Sequence, residues 1–291
     1  MLFRTIVLAW ISSISLFAMG PLVNAQWLQK HHDDKDLVVL DVSDAKEFAK
    51  GHIEGSINAP IFLWREKHKH FLLVTNPMSM QKNLQRFGIN KNSKVVIYSH
   101  HTNGKDILKA SYVIWAMEYY GFKETAILDG GLPAWKKVEG KISTQVLRPN
   151  KGDFIISINK NLVANLQDVK KNIAQAQMLD ARPAVYYFGA QKQSVLKRAG
   201  HVEGARSYFW KYSFDNGLVK DKKILKSMLV DGLGFDPKKP TITYCTGGLE
   251  TSMNFFVLHR ILGFDNIRLY DASMKEWANE MDTPMRKYQW Q

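Results

Sequence analysis

The only cysteine in this chain of 291 residues, Cys245, directly follows an apolar predicted strand and directly precedes a glycine-containing loop that leads into a predicted helix. Ligands of parallel sheets bind outside the carboxyl ends of the strands, where a glycine loop can turn several backbone N–H groups toward one anion. Because the start of a helix adds positive potential, we expect a lowered thiol pKa and a thiolate near neutral pH. The alternative is an inert cysteine buried in the core. The residues expected to form the anion site are Thr246, Gly247, Gly248, Leu249, Glu250 and Thr251.

Four sequence features occur twice in the same order, which indicates an internal duplication. They are a strand ending in aspartate, a Gly-His-x-x-Gly phrase, a strand ending in serine or cysteine, and a later strand ending in aspartate. The offset between matched residues is 139 to 149 positions, for the pairs Asp41 and Asp180, His52 and His201, Ser99 and Cys245, and Asp129 and Asp271. A constant order at a nearly constant offset predicts two copies of one structural unit.

Each copy alternates short apolar strands with amphipathic helices. Apolar or small residues recur at helical spacing after both matched strands, at Ala110, Val113, Ile114 and Met117 and at Met253, Phe256, Val257 and Ile261. This alternation predicts an α/β fold in which each copy has a mostly parallel sheet covered by helices on both faces. Turn-forming residues at 148–153 predict the boundary between an N-terminal domain, 26–150, and a C-terminal domain, 151–291.

Together these motifs resemble the tandem rhodanese-type sulfurtransferases over the whole mature chain. Residues 51–56, 200–205, 244–248 and 270–277 match that family's pattern, which has the loop cysteine in the second copy only. The resemblance implies a sulfane sulfur transferase that needs no cofactor and no metal. The Cys245 thiolate would attack the outer sulfur of thiosulfate, hold it as a persulfide, release sulfite, and pass the sulfur to cyanide or a thiol. Converging N–H donors can stabilise both the thiolate and the persulfide.

The resemblance also implies roles for two residues at the end of a predicted strand in the second copy. Arg182 matches the family's substrate-binding arginine, and a guanidinium suits a cluster of anionic oxygens. The alternative is a surface or salt-bridging arginine. Asp180 is expected to orient groups near the loop rather than to donate a proton.

The first copy has Ser99 where the second has Cys245, and no base accompanies this serine in the sequence. Because a serine needs activation to act as a nucleophile, we expect the first domain to be catalytically silent. Neighbouring histidines at 31–32, 68, 70 and 100–101 have neither a cysteine nor a regular carboxylate spacing beside them. They predict solvated surface rather than a metal site.

The loop departs from known variants of this family. Mercaptopyruvate-type members carry Cys-Gly-Ser-Gly-Val-Thr and a second arginine six residues beyond the first, where this chain has Phe188. The basic residues of thiosulfate-type loops are missing, since Thr246 and Gly247 are neutral. Glu250 adds a negative charge where many single-domain relatives have arginine. Facing inward, it would oppose a dianion and raise the thiol pKa, whereas facing outward it could pair with a lysine or support an amine-bearing acceptor.

The first 25 residues are typical of a secretory signal, with Arg4 before an apolar stretch and small residues ending at Ala25. The alternative is an uncleaved anchor, although the apolar stretch is shorter than the roughly 20 residues that span a bilayer. Cleavage after Ala25 would remove Arg4 alone among the charged residues and reduce the net charge from +13 to +12. We therefore expect a periplasmic or secreted protein without stable membrane insertion. Its scattered lysines favour a small anionic donor and a thiol or cyanide acceptor over nucleic acid.

Other functions stay open at this point. Cysteine phosphatases also have a cysteine-headed anion loop, but they need an arginine six residues after the cysteine, where this chain has Thr251. An exported sulfur carrier or redox partner with little turnover of small molecules, a 3-mercaptopyruvate sulfurtransferase and a non-catalytic polyanion binder are the remaining alternatives.

Overall fold

The computed structural model describes residues 19–101 and 104–290, which form two domains built alike. The strands of the first domain are β1 (Leu22–Val23), β2 (Leu37–Asp41), β3 (His52–Ile53), β4 (Ile57–Asn58), β5 (Arg65–His68), β6 (Phe71–Val74), β7 (Lys94–Tyr98), β8 (Thr125–Leu128) and β9 (Ile142–Ser143). Its helices are α1 (Ala25–His31), α2 (Ala45–Ala49), α3 (Pro77–Arg86), α4 (Ile107–Tyr119) and α5 (Gly131–Lys137).

The second domain repeats this order of elements. Its strands are β10 (Val163–Ala164), β11 (Gln177–Asp180), β12 (His201–Val202), β13 (Ala205–Ser207), β14 (Phe214–Asp215), β15 (Leu218–Val219), β16 (Thr241–Tyr244), β17 (Ile267–Tyr270) and β18 (Met285–Arg286). Its helices are α6 (Leu166–Asn172), α7 (Ala184–Tyr187), α8 (Lys222–Lys226), α9 (Leu249–Phe256) and α10 (Ser273–Trp277). Helix α9 continues as a π-helical segment over Val257–Ile261.

Each domain is centred on a parallel sheet of five strands with the same spatial order. The order is β1-β8-β7-β2-β4 in the first domain and β10-β17-β16-β11-β13 in the second. The central strand β16 is buried along its whole length, as expected for a parallel strand covered by helices on both faces. The α/β fold predicted from strand–helix alternation is confirmed.

The two domains meet along the helices that follow their central strands. The Ser111 hydroxyl on α4 lies 2.8 Å from the Ser252 hydroxyl on α9, and both side chains are buried. Between Ile107 and Glu118, every residue of α4 except Lys109 is buried. A helix buried on all sides has no polar face, and α4 has none because it lies between its own sheet and the second domain.

A β-hairpin of each domain reaches over the other domain. In the hairpin β5–β6, Val74 N donates to Asp271 Oδ2 at 2.8 Å. In the hairpin β14–β15, Val219 N donates to Asp129 Oδ1 at 3.0 Å. Since Asp271 and Asp129 are matched residues of the duplication, the two hairpins make equivalent contacts, each with the other domain.

The segment between the two domains lies against the first domain. Gly152 N donates to Gln85 O at 2.8 Å, and Phe154 N donates to Ile89 O at 3.1 Å. A Cβ at Gly152 would lie 2.1 Å from Ile89 O, so this close approach requires glycine. The boundary predicted at residue 150 therefore falls inside a segment that is hydrogen-bonded to the first domain.

Residues 22–25 form part of the first domain. Strand β1 pairs in parallel with β8, Val23 is buried, and Asn24 caps helix α1 by accepting a hydrogen bond from Trp27 N at 2.8 Å. Cleavage after Ala25 would remove both the strand and the cap from this domain. The rest of the predicted signal, residues 1–18, lies outside the described residues. Within 19–101 and 104–290, no helix combines the length and apolarity required to cross a membrane.

Candidate active site

Cys245 lies at the carboxyl end of the central strand β16, as predicted. Its backbone N donates to Ser273 Oγ at 3.1 Å, and Gly248 N donates to its Sγ at 3.1 Å. The Ser273 hydroxyl lies 3.9 Å from the same sulfur, and it donates to Tyr270 O at 2.6 Å. The sulfur thus faces a backbone amide from the loop that follows it, residues 245–251, which we call the sulfur loop.

Gly248 allows the sulfur loop to turn into helix α9. Its φ of +89° lies in the left-handed region, and it precedes the first helical residue, Leu249. A Cβ at Gly248 would lie 2.0 Å from Asp271 Oδ1. Both the backbone conformation and this approach require glycine, so the turn that aims the Gly248 amide at the sulfur depends on this residue.

The thiol of Cys245 is buried, and its pKa is raised. The residue is 1% exposed, and burial, together with the smaller effect of the charge of Glu250, raises the pKa of Cys245 to about 11. The backbone amides of Thr251 and Gly247 and the Ser273 hydroxyl lower it. The prediction of a lowered pKa is wrong for this structure, because removing the sulfur from water outweighs the hydrogen-bond donors around it.

Arg182 and Asp180 form a buried ion pair near the sulfur. Arg182 Nε donates to Asp180 Oδ1 at 2.9 Å, and its Nη2 donates to Asp180 Oδ2 at 2.6 Å and to Gly200 O at 2.8 Å. Both side chains are at most 1% exposed. The negative charge of Cys245 contributes to raising the pKa of Arg182, so the guanidinium lies within electrostatic reach of the sulfur. Arg182 is thus a salt-bridging arginine in this structure, which was the alternative to a substrate-binding role. Its partner Asp180 fixes the direction of the guanidinium.

Glu250 interacts electrostatically with the interior of the site. Burial raises the pKa of its carboxyl, and the charge of Asp180 raises it further, while Lys105 and Arg182 oppose this. In turn the charge of Glu250 raises the pKa of Cys245. The sequence left open whether the charge of Glu250 acts on the thiol, and in the structure it does. This charge disfavours the thiolate and would repel a dianion bound at the sulfur.

The other residues of the sulfur loop contribute mainly through the backbone. The Thr251 hydroxyl lies 2.6 Å from the Thr243 hydroxyl within the core, which turns the side chain away from solvent. The Thr246 hydroxyl is buried and has no hydrogen-bond partner in the described part of the chain. The side chain of Leu249 is partly buried and packs against the cluster of buried apolar side chains that includes Met253 and Phe256.

Two site residues that the sequence did not predict come from the first domain. Arg65 Nη2, on β5, donates to Gly247 O at 2.5 Å and lies 3.5 Å from Asp271 Oδ1. The Tyr112 hydroxyl, on α4, donates to Asp271 Oδ2 at 2.8 Å, and the guanidinium of Arg65 lies over the Tyr112 ring, 4.7 Å from its centroid. No motif marks either residue, because they are brought to the site by contact between the domains.

The matched position in the first domain has a different set of partners. Ser99 is buried, and within 19–101 and 104–290 its hydroxyl has no hydrogen-bond partner. His100 Nε2 lies 2.8 Å from Asp41 Oδ2, and the histidine side chain is only 6% exposed. The prediction of solvated surface is wrong for His100, because the imidazole partners the carboxylate that Arg182 partners in the second domain. Among the described residues, no group of three histidine, cysteine, aspartate or glutamate side chains could hold a metal ion.

Comparison with known proteins agrees with this architecture. A model of the rhodanese-like domain matches residues 24–138 and 165–280. A protein of Synechococcus elongatus named "Putative thiosulfate sulfurtransferase" is 26% identical, over 87% of this chain and 81% of the relative. The sulfur carrier protein TtuD of Thermus thermophilus is 27% identical, over 91% of this chain and 96% of TtuD.

A solved structure gives the same result for the fold. SseA from Escherichia coli, described with the 3-mercaptopyruvate sulfotransferases, superposes with a TM-score of 0.76 at 24% identity, covering 88% of this chain and 99% of SseA. At that identity the likeness concerns the fold alone. The two domain matches together span well over half of the sequence, and the chain belongs to the rhodanese family of sulfurtransferases, with two rhodanese-like domains in tandem.

Proposed function

We propose that this protein transfers a sulfane sulfur from thiosulfate or a similar small donor to a thiol or cyanide through a persulfide on Cys245. The observation that carries the proposal is the Gly248 amide donating to Cys245 Sγ at the end of the central strand. An amide fixed on the sulfur can stabilise negative charge both on the thiolate and on the outer sulfur of a persulfide. The named relative from Synechococcus elongatus supports thiosulfate as the donor.

The reaction proceeds in two displacements at sulfur. The Cys245 thiolate attacks the outer sulfur of thiosulfate, the sulfur–sulfur bond of the donor breaks, and sulfite leaves with the bonding electron pair. An acceptor thiolate or cyanide then attacks the outer sulfur of the persulfide, and Cys245 leaves as a thiolate. No redox partner is required, because each step exchanges one sulfur bond for another.

The charges around the sulfur restrict the donors that this site favours. Arg182 is paired with Asp180, and Arg65 lies beside Asp271, so neither guanidinium adds an uncompensated positive charge. Glu250 adds negative charge in the same region. We therefore expect weak binding of the thiosulfate dianion and a relative preference for donors of lower negative charge.

The burial of the thiol restricts when the reaction can start. With a pKa of about 11, only about one molecule in 10⁴ carries the thiolate at pH 7. A donor reaches the sulfur only when the sulfur loop admits it. Entry of water together with the donor would remove part of the desolvation that raises the pKa, so access and activation are coupled in this proposal.

The test is mass spectrometry of the intact protein after incubation with thiosulfate. We expect the mass to increase by one sulfur atom, the added sulfur to be removed by cyanide, and neither change to occur in Cys245→Ser. Loading should accelerate with pH, because the thiolate fraction increases about tenfold per unit up to pH 11. A wild-type protein that gains no sulfur from thiosulfate or from less charged donors at alkaline pH would refute the proposal.

A second candidate function is that of a sulfur carrier with little turnover of small molecules. The burial of Cys245 favours this function, since a protein partner could open the sulfur loop whereas a small donor could not. The relative named sulfur carrier protein TtuD also supports it. Thiocyanate release from thiosulfate and cyanide discriminates between the two. Many turnovers per protein molecule support the enzyme, whereas a single loading that small acceptors do not discharge supports the carrier.

Mercaptopyruvate is a further possible donor. The position where mercaptopyruvate-type members carry a second arginine is Phe188, whose ring contacts Tyr288 and Trp290 near the carboxyl terminus. The site therefore has no cation at that position for a substrate carboxylate. Faster loading from mercaptopyruvate than from thiosulfate would assign the chain to that variant.

We further propose that the protein is exported to the periplasm or secreted, as the predicted signal suggests. Because β1 and the Asn24 cap belong to the first domain, the mature chain should begin at or before Leu22. The amino terminus of the exported protein, determined by mass spectrometry, tests this. A mature chain that begins at Gln26 would show that the fold does not need β1.

A further inference from the structure

Arg65 is a buried cation that the first domain places against the sulfur loop of the second. Its side chain is 8% exposed, and its Nη2 donates to Gly247 O at 2.5 Å and to Leu72 O at 3.1 Å. Among the described residues, its buried Nε has no hydrogen-bond partner. Burial lowers the pKa of Arg65, but Tyr112, Asp271 and, less strongly, a thiolate at Cys245 outweigh it, so that the pKa is raised. A buried charge is retained at a cost of desolvation, so its placement calls for an explanation.

The peptide bond between Gly247 and Gly248 links Arg65 to the sulfur. In a trans peptide the C=O and N–H groups point in opposite directions. Arg65 holds the oxygen of this peptide, and the N–H of the same peptide donates to Cys245 Sγ at 3.1 Å. With a glycine on each side, this peptide meets little steric resistance to rotation, so a contact that fixes its oxygen also fixes the direction of its N–H.

The duplication provides an internal comparison for this contact. In the hairpin β5–β6, Arg65 pairs with Val74, whose N–H is bonded to Asp271. In the hairpin β14–β15, Phe214 pairs with Val219, whose N–H is bonded to Asp129. Phe214 therefore occupies the position of Arg65 in the half that has Ser99 in place of the cysteine. At this hairpin position, an arginine stands in the hairpin that contacts the loop of Cys245, and a phenylalanine stands in the other hairpin.

We propose that Arg65 is a positioning residue for sulfur transfer, which acts by holding the Gly247–Gly248 peptide so that its N–H points at Cys245 Sγ. This rests on the function proposed above, and it assigns to the first domain a part in the chemistry of the second. Hydrogen bonding to the peptide oxygen also polarises the peptide, which strengthens its N–H as a donor to an anionic sulfur.

The experiment measures the rate of Cys245 alkylation by iodoacetamide against pH in the full-length protein, together with the thermal midpoint of each variant. In Arg65→Met we expect the midpoint of the alkylation profile to rise by about one pH unit, so that the rate at pH 8 relative to the alkaline plateau falls about tenfold. Arg65→Gln keeps one donor without the charge and Arg65→Lys keeps the charge with a different geometry, so both should shift the midpoint by less. The matched control is Phe214→Met, which shortens the equivalent side chain in the other half and should leave the profile unchanged.

The outcomes separate this inference from the proposed function. A folded Arg65→Met protein with the wild-type alkylation profile, or an equal shift in Phe214→Met, would overturn the positioning role. If Arg65→Met does not fold, unchanged profiles in both Arg65→Gln and Arg65→Lys would overturn it. If the wild-type protein loads no sulfur but the profile still shifts in the Arg65 variants, the positioning role stands and the sulfur-transfer proposal fails.

Discussion

The two halves of this molecule have the same order of strands in their sheets. Each half also extends a hairpin to an aspartate of the other half, Asp129 after β8 or Asp271 after β17. They differ at a few side chains around the equivalent loops. The second half has Cys245 where the first has Ser99, and the hairpin facing Cys245 carries Arg65 where the other carries Phe214. The duplicated scaffold therefore only places these positions, and the half that has Ser99 supplies Arg65 to the loop of the half that has Cys245.

The equivalent aspartates at the ends of β2 and β11 show the same principle. Asp180 holds the guanidinium of Arg182, whereas Asp41 contacts the imidazole of His100. The carboxylate is kept in both halves, while the partner that it orients is different. A guanidinium near the sulfur in one half thus corresponds to an imidazole in the other.

Exchanging the two strand-end residues should produce the largest effect. Cys245→Ser should reduce sulfur transfer to background, because a hydroxyl in this loop has no base to activate it. Ser99→Cys should add at most about a tenth of the wild-type transfer rate, since the equivalent hairpin position of its half is Phe214 and not an arginine. Both variants are measured by thiocyanate release and intact mass. Transfer at the wild-type rate through a cysteine at 99 in the double variant would show that the two halves are interchangeable.

Replacing each of the two aspartates contacted by the hairpins should lower the free energy of unfolding by a different amount. Asp271→Asn weakens the contacts to the Tyr112 hydroxyl and to Arg65 and leaves the guanidinium without its carboxylate, so we expect a loss of about 3 kcal/mol. Asp129→Asn affects an acceptor of backbone amides, those of Val219 and Gly130, and should cost about 1 kcal/mol. Urea unfolding of both variants is the measurement. Equal losses would contradict the asymmetry between the halves.

The loop glycine should be less tolerant of substitution than a hairpin glycine with a similar backbone. Gly248 and Gly217 have φ values of +89° and +82°, but a Cβ meets Asp271 only at Gly248, whereas nothing lies within 4 Å at Gly217. Gly217→Ala should cost about 1 kcal/mol from the left-handed backbone alone. Gly248→Ala should cost more and should also slow sulfur loading, measured by intact mass against time. Equal stability and unchanged loading would mean that the turn adapts.

Replacing Glu250 should have the smallest effect, and it has a defined sign. The charge of Glu250 raises the pKa of Cys245, so Glu250→Gln should lower that pKa and increase the alkylation rate at pH 8 by up to about tenfold. The rate at the alkaline plateau, where the thiolate already dominates, should not change. Glu47→Gln, which changes a half-buried glutamate of the first half paired with Lys50, is the control. A slower rate at pH 8 would show that Glu250 supports the thiolate.

The sequence was sufficient for the repeated fold and for the position of Cys245 at the end of a central strand. Strands and helices alternate with recognisable apolar spacing, and the matched residues Asp41 and Asp180 appear at strand ends in both copies. Local features predicted the position of Cys245 because strand, glycines and helix start are contiguous in the chain. The thiol pKa was predicted in the wrong direction, since burial depends on what the rest of the molecule places over the sulfur.

Residues that are neighbours in the chain were enough to predict the doubled α/β architecture, the single thiol at the end of a central strand and the glycine turn beside it. The folded protein was needed to show that Arg65 contacts the sulfur loop, that Tyr112 contacts Asp271, that Arg182 is paired with Asp180, and that the charge of Glu250 raises the thiol pKa. These contacts could not be predicted because hydrogen bonding, charge pairing and desolvation depend on distances between elements far apart in the chain. A single sequence records the residues but not those distances.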